Sequence, residues 1–139
     1  MKRFLGITIF TLMLAVFVAT CSSAPAQPSV VASDPQVAAA PQRVREAYEF
    51  AVTNPDALKN VPCYCGCVGM GHKSNFMCYI KDHNPDGSVV FDHHALGCQI
   101  CVDISQDVMR LTRQNKSATE IRSYIVDKYQ DAGPSTGTE

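Results

Sequence analysis

The chain carries little positive charge. Its 12 lysines and arginines face 13 aspartates and glutamates, a formal net charge of −1. Without Lys2 and Arg3 of the N-terminal leader, the basic count falls to 10 and the net charge to about −3. That balance offers no electrostatic footprint for nucleic acid. Convincing strands are also lacking. Ser88-Val89-Val90-Phe91 is the one short candidate, which excludes an extensive sheet. No internal repeat is present. No Ser-His-Asp set, phosphate loop or paired-carboxylate constellation occurs, so no catalytic residue and no organic-cofactor site is assigned. Asp103 and Asp107 stand four apart in a helical stretch, where a solvated face accounts for them.

What is present begins with a leader. After Lys2 and Arg3, Phe4 to Thr20 is largely apolar and free of charge, followed at once by small residues. This is the pattern of a secretory signal peptide over residues 1–20. Two cleavage readings compete. Val18-Ala19-Thr20-Cys21 is similar to a lipobox, which would make Cys21 the lipidated first residue and the membrane a partner. Ala24-Pro25-Ala26 is an A-x-A site for release after Ala26 as a soluble secreted or periplasmic protein. An uncleaved anchor is the third reading, because the run is about as short as a spanning helix can be. All three place the domain outside the cytoplasm, in the cell envelope or beyond it, where disulfides are permitted. The lipid anchor is the favoured one. Residues 21–40 read as a disordered tether by their Ala, Pro, Ser and Val content. Residues 131–139 read as a disordered tail.

The remaining residues, 41–130, suffice for one small domain that would gain from cross-links or metal. Val44, Ala47, Tyr48, Ala51 and Val52 predict a helix from Pro41 to about Thr53, ended by Asn54-Pro55. A short turn through Asp56-Ala57-Leu58 follows. Pro62 to about Lys81 reads as irregular, and Asn84-Pro85-Asp86-Gly87 as a turn. Cys101, Ile104, Val108 and Leu111 mark one face of a helix from Cys98 to about Gln114. Ser117-Ala118-Thr119-Glu120 matches a capping box that opens a third helix to about Tyr129, with Ile121, Tyr124, Ile125 and Tyr129 inward. The expected fold is mainly α: about three helices, irregular ligand-bearing loops, and at most a short strand pair.

The chemistry lies in the cysteines. Seven are present, and six fall in the domain: Cys63, Cys65 and Cys67 alternate, Cys78 follows, and Cys98-Gln99-Ile100-Cys101 closes the set. His72, His83, His93 and His94 all fall between Cys67 and Cys98. Thiols three apart share a helical face, and the positive helix start favours thiolate. Three readings stay open. Six cysteines in an exported domain allow three structural disulfides, although three alternating ones crowd one end of such a framework. Cys98 and Cys101 also suit a thiol–disulfide oxidoreductase, although no thioredoxin-like βαβ pattern surrounds them. The favoured reading is a soft-metal site with copper first and zinc second, because thiolates select such ions. Its ligands would be Cys63, Cys65, Cys67, Cys78, Cys98 and Cys101, with His72 and His94 on the loops between. Six thiols exceed one tetrahedral site, so two metals are allowed. Met70 and Met77 add nearby thioethers that lean towards copper. At most one of the adjacent His93 and His94 should reach a given centre, and His83 reads as exposed. The spatial expectation is that residues 63–67 lie against the start of the helix at Cys98.

Pro62-Cys63-Tyr64-Cys65-Gly66-Cys67 resembles the signature of bacterial PCYCGC-motif proteins. The resemblance continues through Gly71-His72-Lys73-Ser74-Asn75, Cys78, Val89-Val90-Phe91-Asp92 with His94, Cys98 and Cys101, and the Lys116–Tyr129 helix. It spans residues 45 to 129. It implies an exported protein, often a lipoprotein, of a family whose biochemical role and protein partners are not established. A shorter stretch, Cys98 to Cys101, Lys116-Ser117, Glu120-Ile121 and Tyr129, is similar to the thiol-bearing helical domain of cytochrome c maturation proteins, which reduce apocytochrome thiols. It departs at Val102, where that family usually carries Gln, and the CxCxC run has no counterpart there. This resemblance implies the redox alternative and the helical hairpin. Together the readings favour a binding module over an enzyme.

Overall fold

The computed structural model describes residues 29–137. The leader, Cys21 and the cleavage sites lie outside the described residues. Among the described residues, no helix is long and apolar enough to cross a membrane. The fold is mainly α with one two-stranded sheet.

A 3-10 turn at Val30–Ser33 leads into α1, Pro35–Ala39. Asp34 caps α1, its carboxylate accepting from the Gln36 and Val37 amides at 2.9 and 3.1 Å, with Pro35 preset for the first turn. These residues were expected in the tether, and the structure corrects that boundary. Low-complexity composition hid two apolar anchors: Val31 and Val37 are buried. The cap-plus-proline pair at Asp34-Pro35 starts a helix that keeps Val37 inward.

The helix expected from Pro41 is α2, Gln42–Thr53, with Ala47, Tyr48 and Ala51 buried. Asn54-Pro55 stops it, and Pro55 opens the one-turn α3, Pro55–Lys59. Then comes the cysteine-bearing loop with 3-10 turns at Cys67–Met70 and Asn75–Cys78. β1, Ile80–His83, pairs antiparallel with β2, Val89–Phe91, across the expected Asn84–Gly87 turn. β1 carries an irregularity between Ile80 and Asp82, so its pattern lacks the clean alternation of a strand. The pair Ile80↔Phe91 is its buried end.

α4, His94–Gly97, is a single turn. α5, Gln99–Arg113, buries Cys101, Ile104, Val108 and Leu111 as expected, together with Val102 and Ser105. α6, Ala118–Tyr129, opens on the Ser117–Glu120 capping box, and Asn115 takes the left-handed backbone (φ 56°) that reverses the chain. Ile121, Ile125 and Tyr129 pack inward. Tyr124 is only half-buried, covered by Arg110 and Lys128. Asp107 ties the hairpin by accepting from Arg110 at 2.9 Å, Lys128 at 2.6 Å and Tyr129 at 2.8 Å. It is therefore a structural tie and not a bare solvated carboxylate. In the core, Tyr48 meets Tyr79 and Phe91 edge-on, with centroids 4.9 and 5.7 Å away.

The C-terminal segment also differs from expectation. Thr136 exchanges two hydrogen bonds with Cys63: its amide donates to the Cys63 carbonyl, and its hydroxyl accepts from the Cys63 amide, both at 2.9 Å. Gly133 passes so close to Tyr64 that a Cβ there would lie 2.5 Å from its carbonyl oxygen. The Gly-Pro-Ser-Thr composition that suggested a loose tail supplies the narrow backbone this approach needs.

Candidate metal centre

Two segments carry the centre, and both are set by local chemistry. Cys63 and Cys65 lie on an irregular stretch after Val61 and Pro62. Gly66 then takes a left-handed backbone (φ 79°) and turns the chain into the 3-10 segment at Cys67. On the other side, Cys98 occupies the N-cap position of α5 in extended conformation, and Cys101 lies in its first turn.

The sulfurs converge. Cys63 Sγ is 3.4 Å from Cys65 Sγ and 3.4 Å from Cys101 Sγ, and Cys101 Sγ is 3.5 Å from Cys65 Sγ. The Cys65 sulfur is also 3.3 Å from His94 Nε2. Cys67 and Cys78 sulfurs are 3.9 Å apart. Three overlapping sets of donors lie within 4.8 Å of one another: Cys63, Cys65, Cys78 and Cys101; Cys65, His94, Cys98 and Cys101; Cys67, His72 and Cys78. All eight residues singled out in the sequence fall in these sets. Residues 63–65 do lie against the start of α5.

The alternating run behaves differently from a single claw. Cys63 and Cys65 meet Cys101, whereas Cys67 groups with Cys78 and His72. The Gly66 turn causes the division, because it breaks the extended alternation that would aim all three side chains alike. The adjacent histidines divide as well. His94 faces the thiols, while His93 donates to Asp34 or accepts from its acid form at 2.8 Å. His83 is exposed on β1. Met70 is 59 % exposed, and the Met77 sulfur accepts from the Lys73 amide at 3.3 Å.

His72 is buried, with Nε2 3.6 Å from Asp92 Oδ2. Among the described residues its Nδ1 has no hydrogen-bond partner. A buried ring nitrogen without a partner is costly unless something else engages it. The carboxylate on the other nitrogen is the arrangement that orients a ligating imidazole. Asp92 serves both histidines, since its Oδ1 accepts from the His94 amide at 2.8 Å.

Like acids packed this closely cannot all ionise, so their protons distribute unevenly. Close contacts of the Cys101 sulfur with Cys63, Cys78 and Cys98, together with burial, push its pKa far up. Donation from Cys101, then from Cys78, draws the Cys63 thiol well below its usual range against the opposing effect of burial. A hydrogen bond from Cys78 brings Cys65 to about 5, again against burial. A hydrogen bond from Cys101 brings Cys98 to about 7. Burial, then Cys65, pushes Cys67 up. For His94, burial opposes the charged ring, but the hydrogen bond to Cys65 and its charge outweigh it and raise the pKa.

A buried polar network holds the two halves in register, and the sequence reading missed it. The Cys101 carbonyl accepts from Asn75 Nδ2 at 3.2 Å and from the Tyr79 hydroxyl at 2.8 Å. Ser105 Oγ lies 2.7 Å from both Asn75 Oδ1 and Tyr79 Oη. Asn75, Tyr79 and Ser105 are fully buried. The available signal was Ser105, a polar residue four positions after Cys101 on the apolar face of a helix.

A family model described as a protein of unknown function with a PCYCGC motif matches residues 29–139. Neither the curated proteins nor the solved structures contain a match to the chain.

Proposed function

The chain belongs to the PCYCGC-motif family of unknown function, and we propose that its role is to bind a soft transition metal, copper(I) first and zinc second, through this thiolate cluster. The carrying observation is that eight separate donors converge in three overlapping sets, each within 4.8 Å. Bonds of about 2.3 Å at tetrahedral angles would place thiolate sulfurs about 3.8 Å apart. The observed 3.4 to 3.9 Å spacings need only small adjustment to reach that. A disulfide requires about 2.05 Å and two partners only, whereas Cys63 stands equally close to two sulfurs. Thiolate-rich donor sets favour copper(I) and zinc over harder ions. In this reading the leader and Cys21 place the centre at the membrane surface outside the cytoplasm.

The test is native mass spectrometry of the full chain, purified under reducing conditions, with elemental analysis alongside. Metal bound in whole-number stoichiometry supports the reading. Metal-free protein with its six domain thiols in disulfides sinks it.

One observation favours a second reading, thiol–disulfide exchange. Cys98 is half-buried at the start of α5, has its thiol lowered to about 7, and has Cys101 beside it. That is the environment of an attacking thiolate. Turnover of a disulfide substrate that Cys98→Ser abolishes would establish it.

A further inference from the structure

The three donor sets are unlike in exposure. Cys63, Cys78 and Cys101 are fully buried, and Cys67 and His72 nearly so. Cys65, His94 and Cys98 are half-buried and line one wall of a cleft of about 430 Å³. The C-terminal segment at Ala132, Gly133 and Pro134 also lines it. No lysine, arginine, aspartate or glutamate lines that cleft. Cys65 and Cys101 are common to the first two sets, and Cys78 to the first and third. A thiolate sulfur has lone pairs for two metals, so shared sulfurs are natural bridges between soft ions.

We propose that the eight donors form one bridged cluster with two kinds of metal position: inner ones held through Cys63, Cys67, Cys78 and His72 and closed to solvent, and an outer one held by Cys98 and His94, joined to the inner ones through the shared sulfurs of Cys65 and Cys101, from which metal passes to an incoming thiolate. This rests on the metal-binding reading. The transfer is a ligand exchange without change of oxidation state. The incoming thiol forms a bond to the outer ion, the bond to Cys98 breaks, and the proton of the incoming thiol ends on Cys98. The cleft, lined by no charged side chain among the described residues, admits a thiol donor and does not select one by charge.

The experiment loads the full-length chain with copper(I) without oxygen, counts ions by native mass spectrometry, and follows their loss to excess glutathione. A synthetic peptide with a Cys-x-x-Cys pair is the second acceptor and distinguishes small thiols from protein thiols. At least two ions per chain are expected, with one population leaving quickly and the remainder about tenfold more slowly, since the shell around a site controls access. Cys98→Ser should remove the fast population and leave the slow one. His94→Gln, which leaves the thiols intact, should do the same and decides the matter if Cys98→Ser fails to fold by circular dichroism. A single ion per chain, one-phase loss, or a fast phase that survives in His94→Gln overturns this inference while leaving metal binding standing. A chain that binds no metal at all overturns the parent reading instead.

Discussion

Cys63 Sγ and Cys101 Sγ lie 3.4 Å apart although 38 positions separate them in the chain. This contact joins the loop that bears the CxCxC run to the first turn of α5. Cys101 is the more consequential partner, because its sulfur belongs to two donor sets and its carbonyl anchors the Asn75–Tyr79 network.

Cys101→Ser should therefore weaken metal binding more than Cys98→Ser does. Loss of a shared sulfur removes a donor from two positions, and loss of Cys98 from one. Competition titrations against a copper(I) chelator should separate the two variants by about tenfold or more. Equal affinities would contradict the sharing of Cys101.

Asn75→Ala removes a donor to the Cys101 carbonyl and leaves Ser105 with fewer partners in a dry core. A buried group stripped of its partner costs about 1–3 kcal/mol. Urea unfolding of the reduced, metal-free protein should show a loss of that size. A change below about 0.5 kcal/mol, the range of neutral surface substitutions, would mean that water replaces the lost bonds.

Val37→Ala tests the corrected boundary. Val37 is fully buried although its neighbours look like linker, and removing two buried methyl groups should cost about 2 kcal/mol. If residues 30–39 contribute nothing to the domain, the midpoint of denaturation will not move.

Asp107 gives a stability change with acid pH. Burial alone would raise its pKa, but Lys128, Arg110 and Tyr129 together hold it below the usual 3.8. A carboxylate whose folded pKa is lowered stabilises the fold above its unfolded pKa, and that contribution fades as pH falls through the folded value. Asp107→Asn should destabilise the domain at neutral pH by about 1 kcal/mol, discounted for partial solvent screening. The gap between variant and parent should close below about pH 4. Thermal melts of both proteins across that range provide the comparison, and a gap that persists at pH 2 assigns the effect to packing.

Gly133→Ala places a Cβ against the Tyr64 carbonyl. The segment should lift and break its hydrogen bonds between Thr136 and Cys63. Hydrogen exchange at the Cys63 amide should then accelerate, with the amides of α5 unchanged. An unaltered rate at Cys63 would show that the segment protects nothing.

Much of this was readable in the chain. The α2, α5 and α6 helices follow from apolar spacing and punctuation: Asn54-Pro55 after α2, and the Ser117–Glu120 box before α6. Short-range rules suffice there because each helix buries one face and its stop signals are local. β1 was not readable, since Ile80–His83 has one buried residue and an irregular register. The ordered turns at residues 30–39 were hidden because two valines in alanine- and proline-rich surroundings produce no periodicity. The Asn75–Tyr79–Ser105 network was invisible because its members are up to 30 positions apart, and hydrogen-bonding between them exists only after the loop closes on α5.

The sequence by itself determined the inventory: six domain thiols and their neighbouring histidines, of a softness that narrows the choice of ion. The parting of His93 and His94 was expected from alternation in a strand, but β2 ends at Phe91 and His94 opens α4, so a helix start separates the two rings. Only the tertiary structure decided how the donors divide. The left-handed backbone at Gly66 sends Cys67 to His72 and Cys78, while Cys63 and Cys65 meet Cys101. Donor type is a property of each residue, but a shared coordination set depends on distances between segments far apart in the chain, and packing alone sets those.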